Sequence, residues 1–370
     1  MGGHLDGVRV LDLTIWRPGP YATQLLAEQG ADVLKVEPPG GDPMRSMPDL
    51  FDILGAGKRS IVLDLKSDEG RARCLDLAAD ADAFVESYRP GVAGRLGVGH
   101  EAVTARNPSI VYASISGFGA FGPLAGLPGH DVNYLAYSGA LRPRGGDLVH
   151  PTVPISDLAG GLAGAYAIAT ACLGAKLHGR GERVDVSVAD VLATWVGPVG
   201  PVEMVGLDRP LRGAPGYGTF PTRDGGYVAI GIMNEDHFWV GLCRALGLDD
   251  EELLDNPERN RRVREVNARI GEVIGELTEA EALARLVAHD VPASPVLDRD
   301  GMLAHPHFRE RGTVVETDGG RAGSGPLVRF EQRPGRPPNG APAVGADEPV
   351  WLPRDPEQPT RSLADRLPPL

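Results

Sequence analysis

Val8-Arg9-Val10-Leu11-Asp12-Leu13, then Pro18-Gly19-Pro20, then Tyr21 to Gln29, then Gly30 and Ala31-Asp32-Val33-Leu34-Lys35-Val36-Glu37 decide the fold of this chain. The first run is a short apolar strand, and the prolines end it. Tyr21 to Gln29 has helical spacing, with Ala22, Leu25 and Leu26 on one face. Gly30 suits the position just past a helix end, where left-handed backbone favours glycine. A second apolar strand follows at once. Strand, helix and strand in this order open a parallel sheet. No GxGxxG accompanies them, so the dinucleotide fingerprint is absent. Further strands are expected over 60–65, 83–87, 110–115 and 183–188, with a Ser67-capped helix over 67–78. The fold class is therefore α/β.

After residue 196 the periodic signals stop, and scattered glycine and proline over 197–217 read as a linker. A smaller α/β unit is expected over 218–303. It starts with the strand Gly226–Ile232 and the amphipathic helix Phe238–Leu246. The charged segment 257–290 is expected to give two more helices, and Ala293-Ser294-Pro295-Val296 a short strand. Residues 304–370 return toward the large domain of residues 1–196. The chain from Gly312 onward reads as extended, and 332–370 hold too little apolar sequence for a core of their own.

The net charge of −13 argues against nucleic acid as a partner, because such proteins usually carry a basic face. Cys74, Cys172 and Cys243 lie far apart in apolar surroundings, the pattern of buried reduced thiols. No cysteine–histidine spacing suggests a metal. No apolar run is expected to reach the ~18 residues of a membrane span, and no secretory h-region opens the chain. The expectation is a cytoplasmic protein with no membrane partner.

Two acid–base candidates stand out between Tyr112 and Gly164. His130 lies in Gly129-His130-Asp131-Val132-Asn133-Tyr134, behind the glycine turn Gly117-Phe118-Gly119. Asp157 lies in Pro154-Ile155-Ser156-Asp157, ahead of a Gly- and Ala-rich helix expected over 158–177. They are too far apart to share a helix face, so only the fold can bring them together.

These residues resemble the family III CoA transferases. The likeness runs through Arg9–Leu13, Gly19–Ala27, Gly30–Pro39, Lys58–Lys66, Arg89-Pro90-Gly91-Val92 and Val291 to Gly312, nearly the whole chain. Gly129–Tyr134 is most similar to the α-methylacyl-CoA racemase branch, and so is Gly213-Ala214-Pro215-Gly216-Tyr217. Gly55-Ala56-Gly57 departs from the pattern, since the family has Asn-Arg ahead of its lysine. The resemblance implies a large Rossmann-like domain, a small α/β domain and an interlocked homodimer with active sites at the subunit interface. It implies an acyl-CoA thioester as substrate, with CoA part of that substrate and no further cofactor required.

It further implies His130 and Asp157 as paired acid/base groups that move a proton at the α-carbon, with Glu235 supporting the histidine. Burial should raise the Asp157 carboxyl, and a carboxylate such as Glu235 should favour the protonated histidine. The N–H groups of Asp157 and Leu158, at a helix start, would meet the enolate oxygen. Arg45 and Arg89 are candidates for the CoA phosphates. Gly117, Phe118, Gly119 and Tyr134 are candidates for packing the thioester or CoA tail. The alternative is a CoA transferase in which Asp157 is the nucleophile.

Overall fold

A computed structural model describes residues 3–141, 150–197, 214–233, 235–248, 250–316, 322–335 and 340–354. The expected linker thus lies almost wholly outside the described residues. The chain divides into two compact units, Met1–Gly200 with His307–Leu370, and Pro201–Pro306.

In the first unit, β1 (Arg9–Leu13), α1 (Pro18–Glu28) and β2 (Asp32–Glu37) form the opening strand–helix–strand motif. Pro18 occupies the first turn of α1, where a missing N–H costs nothing, so the prolines start the helix rather than only ending the strand. The chain continues through α2 (Pro48–Gly55), β3 (Arg59–Val62), α3 (Asp68–Ala79), β4 (Ala83–Glu86), α4 (Val92–Arg95), α5 (His100–Arg106) and β5 (Val111–Ser116). Then come α6 (Asp131–Tyr137), α7 (Ile155–His178), β6 (Glu182–Ser187) and α8 (Val188–Val196). Ser67 caps α3, its hydroxyl accepting the Gly70 N–H at 3.0 Å.

The six strands form one parallel sheet in the order β3-β2-β1-β4-β5-β6. The register sets Val10 beside Val33 and Ala83, and Leu11 beside Leu34 and Phe84. Alternation then sends Val10, Val33, Val85, Val111, Ile115 and Val186 to one face, under α1, α7 and α8. Leu11, Leu13, Leu34, Phe84 and Tyr112 go to the other, under α3 and α5. Such doubly covered strands read as continuous apolar runs.

One connection differs in hand from the rest. The β1-to-β2 step runs one way across the sheet with α1 on the first face. The β3-to-β4 and β4-to-β5 steps run the other way with α3 and α5 on the second face, which preserves the hand. The β5-to-β6 step also runs that other way, yet α6 and α7 lie on the first face. Its hand is therefore opposite, against the strong general preference for a single hand.

Helix α7 corrects one expectation. It has the length and mean hydropathy, 1.5, of a helix able to cross a membrane. Its glycines account for it as a packed helix of this unit. A Cβ at Gly161 would stand 2.7 Å from the Pro18 carbonyl oxygen, and one at Gly164 would stand 2.7 Å from Cδ1 of Ile115. The backbone of α7 thus lies directly against α1 and β5.

The second unit holds the antiparallel strands β7 (Tyr217–Pro221), β8 (Tyr227–Gly231) and β9 (Ala293–Pro295). α9 (Asp236–Leu246), α10 (Asn256–Arg261), α11 (Val263–Gly275) and α12 (Glu279–Ala288) complete it. Segment 257–290 gives three helices, not two. Thr278 caps α12, and Asp255, whose carboxylate accepts the Glu258 N–H at 3.1 Å, starts α10 separately. Trp239, Leu242, Ile270, Ile274 and Leu286 form its core.

The chain after Gly312 is not simply extended, for β10 (Val314–Glu316) pairs with β11 (Ala322–Ser324). Beyond them the return segment is stitched to the first unit. The Ala341 N–H donates to Asp52, the Gly345 N–H to Ser60 Oγ and the Trp351 indole N–H to the Leu77 carbonyl, each at 3.0 Å.

Candidate active site

The carboxyl end of β1 is held by charges buried beneath it. Lys58 Nζ donates to Asp12 Oδ2 at 2.9 Å, the Pro20 carbonyl at 2.9 Å and Thr23 Oγ1 at 2.7 Å. Lys35 Nζ donates to the Thr14 carbonyl at 2.8 Å and pairs with Asp42 at 2.7 Å. Burial pushes the Asp12 carboxyl up, but Lys58, Lys35 and the hydroxyls of Thr14 and Thr23 outweigh it and hold it down at about 2. These bonds fix the turn from Thr14 to Pro20. Within that turn Trp16 adopts φ 63°, a left-handed conformation uncommon for a bulky residue.

The exposed Trp16 ring meets the His130 ring edge to face, 6.0 Å between centroids. His130 stands immediately before α6, and its backbone N–H donates to Asn133 Oδ1 at 3.0 Å. The next residue makes the long-range junction. Asp131 Oδ1 accepts the N–H of Ser156 at 2.8 Å and that of Asp157 at 3.2 Å, as well as the Ser156 hydroxyl. One carboxylate at the start of α6 thereby caps the start of α7, and brings the His130 and Asp157 segments together.

Asp157 is the third residue of α7, which begins at Ile155 rather than at Leu158. It is therefore not the cap of the helix. Burial and the charge of Asp131 push its carboxyl up to about 6. The positive charges of Arg17 and His130 pull it down less strongly. The expected oxyanion donors need correction. The Asp157 N–H already faces Asp131, and the Leu158 N–H donates to the Pro154 carbonyl at 3.1 Å.

Tyr134 lies beside this pair. Its hydroxyl donates to the Gly129 carbonyl at 2.5 Å. Burial, with the nearby Asp157 charge, pushes the phenol up to about 12, so it stays neutral, while Arg89 acts the opposite way. Its ring explains Gly117, where a Cβ would come within 2.4 Å of that ring. Phe118 is a core residue, edge-on to Tyr134 at 5.1 Å and to Tyr137 at 5.3 Å. Gly119 has φ 78° and lets the Ala120 N–H reach Asp185 at 3.1 Å.

Arg89 is exposed near Tyr134. Arg45 is committed elsewhere. Its Nε and Nη2 donate to Glu37 at 2.7 and 2.6 Å, Nη2 also reaches the Pro342 carbonyl, and the guanidinium lies 4.1 Å from the Phe51 ring centroid. It ties β2 to the return segment, with two of its three nitrogens occupied. Glu235 belongs to the second unit, just before α9, and its carboxylate accepts the Met233 N–H at 2.9 Å. Gly213 and Asn234 lie outside the described residues.

Sequence reasoning gave no sign of the Trp16 turn or of the Lys58 network. A left-handed backbone and a buried lysine leave no local pattern to read.

The model of CoA-transferase family III matches residues 5–348. The chain is 33% identical over 333 residues to human alpha-methylacyl-CoA racemase, covering 85% of this chain and 83% of that protein. It is 31% identical over 365 residues to human succinyl-CoA:glutarate CoA-transferase, covering 90% and 82%. A CaiB/BaiF family protein from Brucella suis superimposes with a TM-score of 0.81 at 27% identity, over 94% of this chain and 97% of that one. The chain belongs to CoA-transferase family III, whose members are enzymes and include both racemases and CoA transferases.

Proposed function

We propose that this enzyme racemises or epimerises 2-methylacyl-CoA thioesters by removing the α-proton on one face and returning one on the other. The observation that carries this reading is the environment of Asp157. A carboxyl raised to about 6 beside an imidazole exchanges protons near neutral pH. A carboxylate serving only as nucleophile gains nothing from being held close to neutrality. Asp157 takes the proton in one direction and His130 supplies one from the other face; the roles swap in reverse. Each step leaves one group protonated and the other not, so the pair is reset by the opposite turnover or by solvent. Tyr134 and Arg89 flank the thioester, and Glu235 of a second copy supports the histidine across the interface of a homodimer. CoA enters as part of the substrate, and no other cofactor is required.

A homodimer belongs to this reading. Leu162 (46% exposed), Tyr166 (73%) and Leu173 (52%) form an apolar stripe on α7, with Trp195 (52%) on α8. A second copy covering that stripe fits both its chemistry and the family. An enzyme for intracellular thioesters is expected in the cytoplasm.

The second reading is CoA transfer with Asp157 as nucleophile, favoured by relatives named as CoA transferases. One experiment separates the two. The protein is incubated in D₂O with one epimer of a 2-methylacyl-CoA, and the α-proton is followed by NMR. Deuterium uptake with epimerisation, lost in His130→Ala and in Asp157→Ala, is expected. Absence of exchange, with CoA moving to an added carboxylic acid and an acyl-enzyme trapped by hydroxylamine, would favour the transferase.

A further inference from the structure

The turn that carries Trp16 and Arg17 reaches both acid/base groups. The Trp16 ring meets the His130 ring edge to face. Arg17 stands immediately before α1, and the backbone that follows it lies on α7. A Cβ at Gly161 would stand 2.7 Å from the Pro18 carbonyl oxygen. Gly161 is one helical turn beyond Asp157 on the same face of α7. This close approach of two backbones sets Arg17 beside Asp157. The electrostatics agree, for the Arg17 charge pulls the Asp157 carboxyl down while burial and Asp131 push it up.

Arg17 is half-buried, yet among the described residues its guanidinium makes no hydrogen bond or ion pair. A cation withdrawn from water is ordinarily paired. Arg45, by contrast, is held by Glu37 and the Pro342 carbonyl. The other donors that could meet a developing oxyanion are taken. The Asp157 N–H faces Asp131, the Leu158 N–H donates to the Pro154 carbonyl, and the Tyr134 hydroxyl donates to the Gly129 carbonyl. Pro18 and Pro20 have no N–H, so the start of α1 supplies little in their place.

We propose that Arg17 is the oxyanion donor of this site, a catalytic residue that holds the thioester oxygen as the α-proton leaves. The proposal rests on the racemase reading and deepens it. The C–H bond at the α-carbon breaks, and its proton passes to the Asp157 carboxylate. The electron pair left behind forms the C=C bond of the enolate, and the carbonyl π pair moves onto the thioester oxygen. The guanidinium gives that oxygen a charge-assisted hydrogen bond, which strengthens as the negative charge grows. When His130 returns a proton to the α-carbon, the electrons flow back and the carbonyl re-forms. Arg17 keeps its own proton throughout, because a guanidinium stays charged.

The test follows α-proton exchange and epimerisation of a 2-methylacyl-CoA in D₂O by NMR, from about pH 5 to 9, for the unchanged protein, Arg17→Gln and Arg17→Lys. Arg17→Gln should lower kcat about 100-fold or more with KM within about threefold, and Arg17→Lys, which keeps the charge, should recover part of the loss. Asp157, Asp131 and His130 are the titrating groups beside Arg17. A residue that only tuned Asp157 would, when removed, shift the acid limb upward and leave the high-pH plateau intact; loss of an oxyanion donor lowers the plateau itself. With 2-phenylpropionyl-CoA, whose enolate spreads charge into the ring, the loss should be smaller, whereas a misfolded variant would lose both substrates equally. Circular dichroism checks the fold. A plateau within about threefold of the unchanged protein, or equal losses on the two substrates, overturns the role of Arg17 and leaves the racemase reading standing. Absence of exchange in the unchanged protein overturns both.

Discussion

The backbone N–H of Asp157 donates to the carboxylate of Asp131 at 3.2 Å, across 26 residues of sequence. That single contact has two opposed effects. It holds the Asp157 segment against the His130 segment, and it sets a negative charge close to the Asp157 carboxyl, which helps to raise it to about 6. Structure and proton affinity are thus fixed by the same side chain.

The pH dependence of activity should show it. With Asp157 as the base, kcat/KM should fall below about pH 6 as the carboxyl protonates. Asp131→Asn keeps an acceptor oxygen for the helix start but removes the charge, so the acid limb should move down by about 0.5–1 pH unit. A pH–rate profile of both proteins measures the shift, and an unmoved limb would count against the coupling.

Stability should respond in the opposite sense to that of an ordinary paired carboxylate. The folded Asp157 carboxyl lies above its unfolded value, so folding favours its protonated form and stability is lost as pH rises from about 4 to about 6. Asp157→Asn mimics the neutral form. It should stabilise the protein above pH 6 by up to roughly 2–3 kcal/mol, from about 2 pH units at ~1.36 kcal/mol each, and should be nearly neutral at pH 4. Denaturant titrations at the two pH values give the difference.

The Trp16 ring braces His130 from a turn whose backbone is already committed. Removing the ring by Trp16→Ala should lower kcat about tenfold or more through misplacement of the imidazole. Trp16→Phe should recover most of the loss, because an aromatic edge remains. Steady-state kinetics with separate kcat and KM, together with the acid limb of the profile, distinguish positioning from unfolding.

The Lys58–Asp12 pair, both side chains fully buried, gives the largest expected stability effect. Lys58→Met leaves Asp12 charged and without its nearest cation, and should cost about 3–5 kcal/mol. Adding Asp12→Asn should cost less than the sum of the single changes, because the unpaired charge is gone. A double-mutant cycle by chemical denaturation measures this.

Much of the α/β plan was legible in the chain. Apolar runs of strand length, the spacing of Ala22, Leu25 and Leu26, Ser67 before α3, and Gly30 after α1 are local signals, because helix and strand periods act over a few residues. The Gly129–Tyr134 motif and Asp157 were legible as chemical types. Short helices such as α6 and α8 were missed, since seven and nine residues carry little periodicity. The packing of Phe118 against Tyr134 and the pairing of Arg45 with Glu37 were not legible, because a side chain's partner cannot be found from its neighbours in sequence.

The sequence by itself determined which segments become strands and helices, and which side chains can carry protons. Tertiary structure alone decided that Asp131 caps α7, that Lys58 is buried under the Trp16 turn, and that one crossover takes the opposite hand. Each of these depends on contacts between residues tens of positions apart. Their burial and charge environment, and therefore the proton affinity of Asp157, exist only once the chain has folded.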